Sequence, residues 1–261
     1  MTLPKILFED EFLLAFDKPS GLPVSPERQG RARATLAGLA REAFGQSVAN
    51  VHRLDAETSG VVLFARTKAA LDSLSGQFQS KSARRTYQAL VALQAGPAGA
   101  GASGRDAAGL LPGEFTVDLA LGEDEGAPGR MRVFRRRGGR PSVTQFRILG
   151  SFGRFAFLEC TPLTGRRHQI RVHLAAAGAP ILNDALYGDP GAALLLSELK
   201  RGYKGREGER PLVTRLALHA GTLAFDHPSG TGPVEITAPL PKDLEIALKY
   251  LRRFAGPRGS R

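Results

Sequence analysis

The sequence predicts a fold of the α+β class. Apolar runs of strand length recur from one end of the chain to the other, several of them paired around short turns. Between them lie stretches whose apolar residues fall at helical spacing. With 261 residues, 42% of them apolar, the chain can bury one large core or two small ones.

Taken in order, residues 6–8 and 12–16 read as two strands around the acidic turn Glu9, Asp10, Glu11. Pro19, Gly21 and Pro23 make 17–24 an extended, sharply turned segment that cannot be helical. Leu36, Leu39, Ala40 and Ala43 give residues 35–44 one apolar helical face. Residues 52–59 are polar and charged, Gly60 breaks the local conformation, and 61–65 is an apolar strand. A loop of acids and bases therefore stands on a stiff element, which is how a reactive side chain is held in place. Thr67 is an N-cap for a helix over 68–80 lined by Ala70, Leu71, Leu74 and Phe78, and 84–93 is a buried strand entered by Arg84 and Arg85.

Residues 94–113 are rich in Gly, Ala and Pro and read as a flexible connection or insertion. A strand is expected over 114–121. Arginines clustered over 130–140, with a turn at Gly138 and Gly139, suit an RNA phosphate backbone or a solvated hairpin tip. Strands over 142–149 and 154–160 form a hairpin around 150–153. Thr164 caps a helix running to Ala177 and ended by Gly178, with Arg167 and Arg171 one turn apart on it. Residues 189–211 read as helix and loop, 212–225 and 234–237 as strands, and 241–254 as a closing helix with Leu244, Leu248 and Leu251 inward.

Composition narrows the function classes. The 36 basic against 25 acidic residues give a net charge of +11, which favours a polyanionic partner, and nucleic acid above all. The lone Cys160 excludes an internal disulfide framework and a thiolate metal cluster. His168 and His173, the closest histidines, are five apart and face different sides of a helix, so no metal site is expected. No apolar run approaches the ~18 residues of a membrane span, and residues 1–5 lack the regions of a signal peptide, so the expected location is the cytoplasm.

The chemistry concentrates at Asp55. Arg53 and His52 precede it and Glu57 follows; a carboxylate beside a guanidinium stays ionised and is available as nucleophile or base. The same residues would also make an ordinary surface turn in which Asp55 pairs with Arg53.

The string His52-Arg53-Leu54-Asp55-Ala56-Glu57-Thr58-Ser59-Gly60 resembles the HRLDxxTSG signature of the RluA-type RNA pseudouridine synthases. Three further segments are similar to family motifs in the expected order. These are Lys18-Pro19-Ser20-Gly21-Leu22; Gly165-Arg166-Arg167-His168-Gln169-Ile170-Arg171-Val172-His173-Leu174; and Asn183-Asp184-Ala185-Leu186-Tyr187-Gly188, where Asn183 stands for the usual Gly. Tyr87 resembles the tyrosine of the family's Lys-x-Tyr segment, with Arg85 in place of the lysine.

The resemblance implies the pseudouridine synthase fold: a mixed, mostly antiparallel sheet with flanking helices and a central cleft. It implies isomerisation of uridine in RNA, ribosomal or transfer, with no cofactor and no metal. Asp55 would be the catalytic carboxylate, Tyr87 would pack on the uracil, and Arg171 would pair with Asp55. Because a stacked base cannot be reached, the target is expected to be flipped out, with Arg53 entering the gap. His52, Lys18, Arg166, Arg167 and His168 are the other RNA-binding candidates. The expected organisation is one catalytic domain over 1–254, no N-terminal S4-type domain, a disordered basic tail over 255–261, and a monomer with no obligate protein partner. Two rivals fit the same residues: a non-catalytic RNA-binding protein on this scaffold, and a hydrolase using Asp55 and Glu57 on a glycosidic bond.

Overall fold

The computed structural model describes residues 2–26, 34–94, 111–134, 137–203, 205 and 207–256. Most of the 94–113 stretch, Arg135 and Arg136 of the arginine cluster, and residues 257–261 lie outside them. The chain divides into two compact units, Met1–Tyr87 with His219–Pro239, and Gln88–Leu218 with Leu240–Arg261.

In chain order the elements begin with β1 (Ile6–Glu9), β2 (Leu13–Lys18), α1 (Leu36–Phe44), β3 (Ala49–Asn50), β4 (Ser59–Ala65), α2 (Lys68–Ser80) and β5 (Arg84–Ala92). Then come β6 (Glu114–Asp118), β7 (Ala120–Glu123), β8 (Met131–Phe134), β9 (Val143–Phe152) and β10 (Phe155–Pro162). The chain closes with α3 (Gln169–Ala176), α4 (Leu196–Leu199), β11 (Leu218–Asp226), β12 (Pro233–Thr237) and α5 (Lys242–Phe254).

The first unit is built on the strand order β1-β2-β4-β11, with β3 paired to β4 and β12 to β11. β2 and β4 are near-continuous apolar runs because both their faces are covered; every residue of β4 is buried. All these pairs are antiparallel except β4 with β11, which run parallel through Ser59 and Gly60 against His219 and Ala220. α2 buries Ala70 and Leu74 in a core made of Leu13, Val61, Leu63, Leu223 and Phe225. Both helices start where the sequence predicts. Thr35 Oγ1 accepts from Gly38 N and Thr67 Oγ1 from Ala70 N, each cap contributing about 1 kcal/mol.

The second unit carries the order β5-β10-β9-β6 and a separate two-stranded sheet of β7 and β8. β9 alternates buried and outward residues, as a strand with one wet face must, and Phe115 of β6 stacks on Phe146 of β9 at 4.9 Å. α5 buries Leu244, Ala247, Leu248 and Leu251. Its first turn is held by Asp243, which takes both Nε and Nη2 of Arg215 at 2.8 and 2.9 Å.

Four sequence expectations need correction. The helix expected from Thr164 begins only at Gln169, with His168 as an N-cap whose side chain makes no capping bond and whose backbone sits at φ 53. Thr164 Oγ1 instead accepts from Val143 N and bonds Gln169 Oε1, so Arg167 precedes the helix rather than sharing it with Arg171. The strand expected over 114–121 breaks at Leu119, whose N–H and carbonyl are both taken by Ser142; β6 pairs with β9 and β7 turns away to β8. The 142–160 hairpin turns at Gly153 and Arg154, where Gly153 adopts φ 63, and the strand expected from 212 starts at Leu218.

Candidate active site

In the first unit, residues 52–59 form a turn fixed through its backbone. Thr58 N donates to Asp55 O at 3.1 Å, closing the turn on the aspartate itself. The carbonyl of Ala56 accepts both Lys18 Nζ at 2.8 Å and Gly21 N at 2.8 Å, and that of Glu57 accepts Ser20 Oγ at 2.6 Å. Lys18 also donates to the carbonyls of Pro19 at 3.0 Å and Leu22 at 2.7 Å, and it has no exposed surface. An ammonium has three N–H groups, and here three carbonyls receive them. Lys18 is thus a clamp beneath the Asp55 turn, not the surface phosphate contact the sequence suggested.

The two ends of the turn are tied by histidines. His52 Nε2 accepts from Leu63 N at 3.1 Å and its ring stacks on Phe78 at 4.9 Å, over which the Arg85 guanidinium also lies. Burial first, and the Arg85 charge second, push its pKa down to about 3. His52 is therefore neutral and serves as a prop, which removes it as a cationic RNA contact. At the other end Ser59 Oγ lies 3.0 Å from His219 Nδ1, while His219 Nε2 faces Ala238 O at 3.4 Å. A carbonyl only accepts, so Nε2 carries the proton and Nδ1 accepts from the serine. Gly60 follows at φ 113, and a Cβ there would lie 2.1 Å from Ala220 O; only glycine permits this approach of β4 and β11. Within this frame Asp55 is half-buried, Arg53 exposed, and Tyr87 8% exposed on β5.

In the second unit the third and fourth motifs meet. Arg171 of α3, 3% exposed, gives Nε to Asp184 Oδ2 at 2.8 Å and Nη2 to Asp184 Oδ1 at 2.7 Å. Asp184 Oδ1 also accepts from Leu186 N and Tyr187 N. Burial alone would raise the carboxyl's pKa, but the bonds and charge of Arg171 and the two backbone N–H groups outweigh it and hold it below its ordinary value. Tyr187 lies under Arg171 at 5.3 Å and under Arg130 at 5.4 Å, and its hydroxyl accepts from Met131 N at 2.7 Å and bonds His168 Nδ1 at 2.8 Å.

The remaining motif residues of this unit are largely scaffolding. Gln169 Nε2 reaches Val143 O and Thr144 Oγ1, while its Oε1 accepts from Arg166 N, sewing the 164–168 loop to β9. His168 and His173 are buried, and His173 bonds Thr144 Oγ1 at 2.8 Å. Arg166 donates to Pro141 O and Arg167 is exposed. Sequence reasoning did not single out Asp184, Tyr187, Gln169, Ser59 or His219. The usable signal was a buried-type Arg near an Asp in a turn, since a permanent charge on an apolar helix requires a counter-charge.

The fold is shared with known proteins. The human protein RNA Pseudouridylate Synthase Domain Containing 4 matches with a TM-score of 0.68 at 26% identity, over 95% of this chain and 92% of its own. RNA Pseudouridylate Synthase Domain Containing 1, also human, matches with 0.64 at 25% identity, over 97% and 96%. The architecture is the α+β pseudouridine synthase fold. The sequence model of the RNA pseudouridylate synthase family matches residues 12–176, a span that contains Lys18, Asp55, Tyr87 and Arg171.

The chain belongs to that family. Ribosomal large subunit pseudouridine synthase D of Neisseria meningitidis is 33% identical over 255 residues, and its namesake from Xanthomonas campestris is 37% identical over 257. The match takes in 96% and 95% of this chain, but 62% and 69% of the relatives' length, respectively.

Proposed function

We propose that the chain isomerises uridine to pseudouridine in structured RNA, with Asp55 as the catalytic carboxylate. The N1 glycosidic bond to C1′ breaks, the uracil turns, and C5 bonds to the same carbon; the C5 proton leaves and N1 gains one, so the mass is unchanged. No redox partner or external group enters, and the proposal includes no cofactor and no metal. Family membership supports the reaction, and the observation that carries the assignment to Asp55 is the turn 52–59. Its carbonyls are held by Lys18, Ser20 and Gly21, so the carboxylate is presented by a preorganised backbone.

In this proposal Tyr87 packs on the uracil and Arg171 is the cation that keeps Asp55 ionised, both assigned on motif resemblance. The exposed Arg53 enters the gap left by the flipped base, and the exposed Arg167 meets phosphates, as do Arg130 and Arg132 at the β7–β8 hairpin. Relatives named for the ribosomal large subunit favour ribosomal over transfer RNA as substrate. Residues 1–254 make up the catalytic unit, acting as a monomer in the cytoplasm. Among the described residues no helix is long and apolar enough to cross a membrane.

Mapping pseudouridines in total RNA from cells with and without the gene tests the reading; sites must vanish with the gene. Asp55→Asn should then lower conversion at those sites at least a hundredfold, roughly 2.7 kcal/mol of barrier. Conversion within threefold of wild type would remove Asp55 from the reaction.

A further inference from the structure

We propose that Asp184 and Tyr187 are positioning residues for this reaction, fixing the plane of the Arg171 guanidinium and tying it to the hairpin that carries Arg130; the isomerase reading above is its premise. The two nearly parallel bonds from Nε and Nη2 to the Asp184 carboxylate leave a planar guanidinium one orientation, which a lysine could not reproduce. The carboxylate is itself held by backbone donors. Leu186 N and Tyr187 N hold Oδ1, and Gly188 N closes the turn on Asp184 O at a spot where a Cβ would come within 2.4 Å.

Tyr187 joins three segments. Its ring lies under Arg171 of α3 and under Arg130, and its hydroxyl takes the N–H of Met131, the first residue of β8. With that N–H received, the hydroxyl proton points to Nδ1 of His168, the N-cap of α3. Helix start, guanidinium and hairpin root are therefore set by one side chain. A buried ion pair is a weak stabiliser compared with apolar residues of the same volume, so a pair built with this geometry fits a place where the direction of a cation matters.

The test uses ribosomal RNA from a strain lacking the gene, with wild type and Asp55→Asn alongside, at a temperature where circular dichroism shows every variant folded. Asp184→Asn and Arg171→Lys should each convert that RNA at least tenfold more slowly in single turnover, with its dissociation constant within threefold of wild type. Tyr187→Phe keeps the ring and removes only the hydroxyl. It should bind the same RNA at least threefold more weakly and with a shallower salt dependence, because the arginine-bearing hairpin loses its anchor.

Should Asp184→Asn fail to fold, Arg171→Lys carries the same comparison, since it keeps the charge and loses the paired bonds. Variants that lower only the melting temperature while converting at the wild-type rate would overturn the positioning role of Asp184. Wild-type affinity in Tyr187→Phe would overturn the tie to the hairpin. A wild type that makes no pseudouridine would instead remove the isomerase reading, and this inference with it.

Discussion

A lysine with no exposed surface is uncommon, and Lys18 is tolerated because three carbonyls replace its water. Replacing it by methionine removes a donor from each of the three, and the Ala56 carbonyl keeps only Gly21 N. Lys18→Met should lower unfolding free energy by on the order of 3 kcal/mol in urea titration, and should slow conversion because the Ala56 carbonyl loses one of its two donors. Its motif was legible in the sequence; its role was not, because the decisive acceptor lies 38 residues away. His52 was misjudged for the same reason. A histidine beside an arginine reads as a cationic pair, yet Nε2 of the ring accepts a hydrogen bond from Leu63 N and must be unprotonated. Its folded pKa, about 3, lies below the ordinary 6.5, so its contribution is complete above pH 6.5 and is lost as pH falls through about 3. His173, also held low, by burial against the opposing Leu119 carbonyl and Asp118, acts in the same direction. Unfolding free energy should decline across that window, and His52→Gln should flatten the decline.

The elements that were legible are those whose cause is local. β2 and β4 are apolar runs, and α1 and α2 carry threonine caps at the positions the pattern demands. The element read wrongly is α3, because Thr164 is a good local cap that a tertiary partner diverts: Val143 N donates to its hydroxyl oxygen, and Gln169 Oε1 takes its proton and the N–H of Arg166. Gly60 lies between these cases. The sequence shows a break, and only the parallel neighbour shows why no Cβ fits. Gly60→Ala must separate β4 from Ala220 and leave a favoured backbone region, which should cost more than about 4 kcal/mol. A melting temperature unchanged in Gly60→Ala would mean that β4 and β11 do not pack this closely.

The molecule's two units are each assembled from separated stretches of chain. Four motifs named the family because they are short strings of fixed spacing. They could not reveal that the Asp55 turn depends on residues 160 positions downstream through His219 and Ser59. A chain ending at Leu218 lacks β11 and β12, and with them Leu223, Phe225 and Ile236 of the first core. Such a truncation should lose the cooperative urea transition of the first unit, monitored by protection of amides in β2 and β4 from hydrogen exchange. During synthesis on the ribosome the same dependence sets a clock. The segment bearing Asp55 is translated well before its tether 160 positions downstream, so a nascent chain that has reached only the first holds the motif without the geometry.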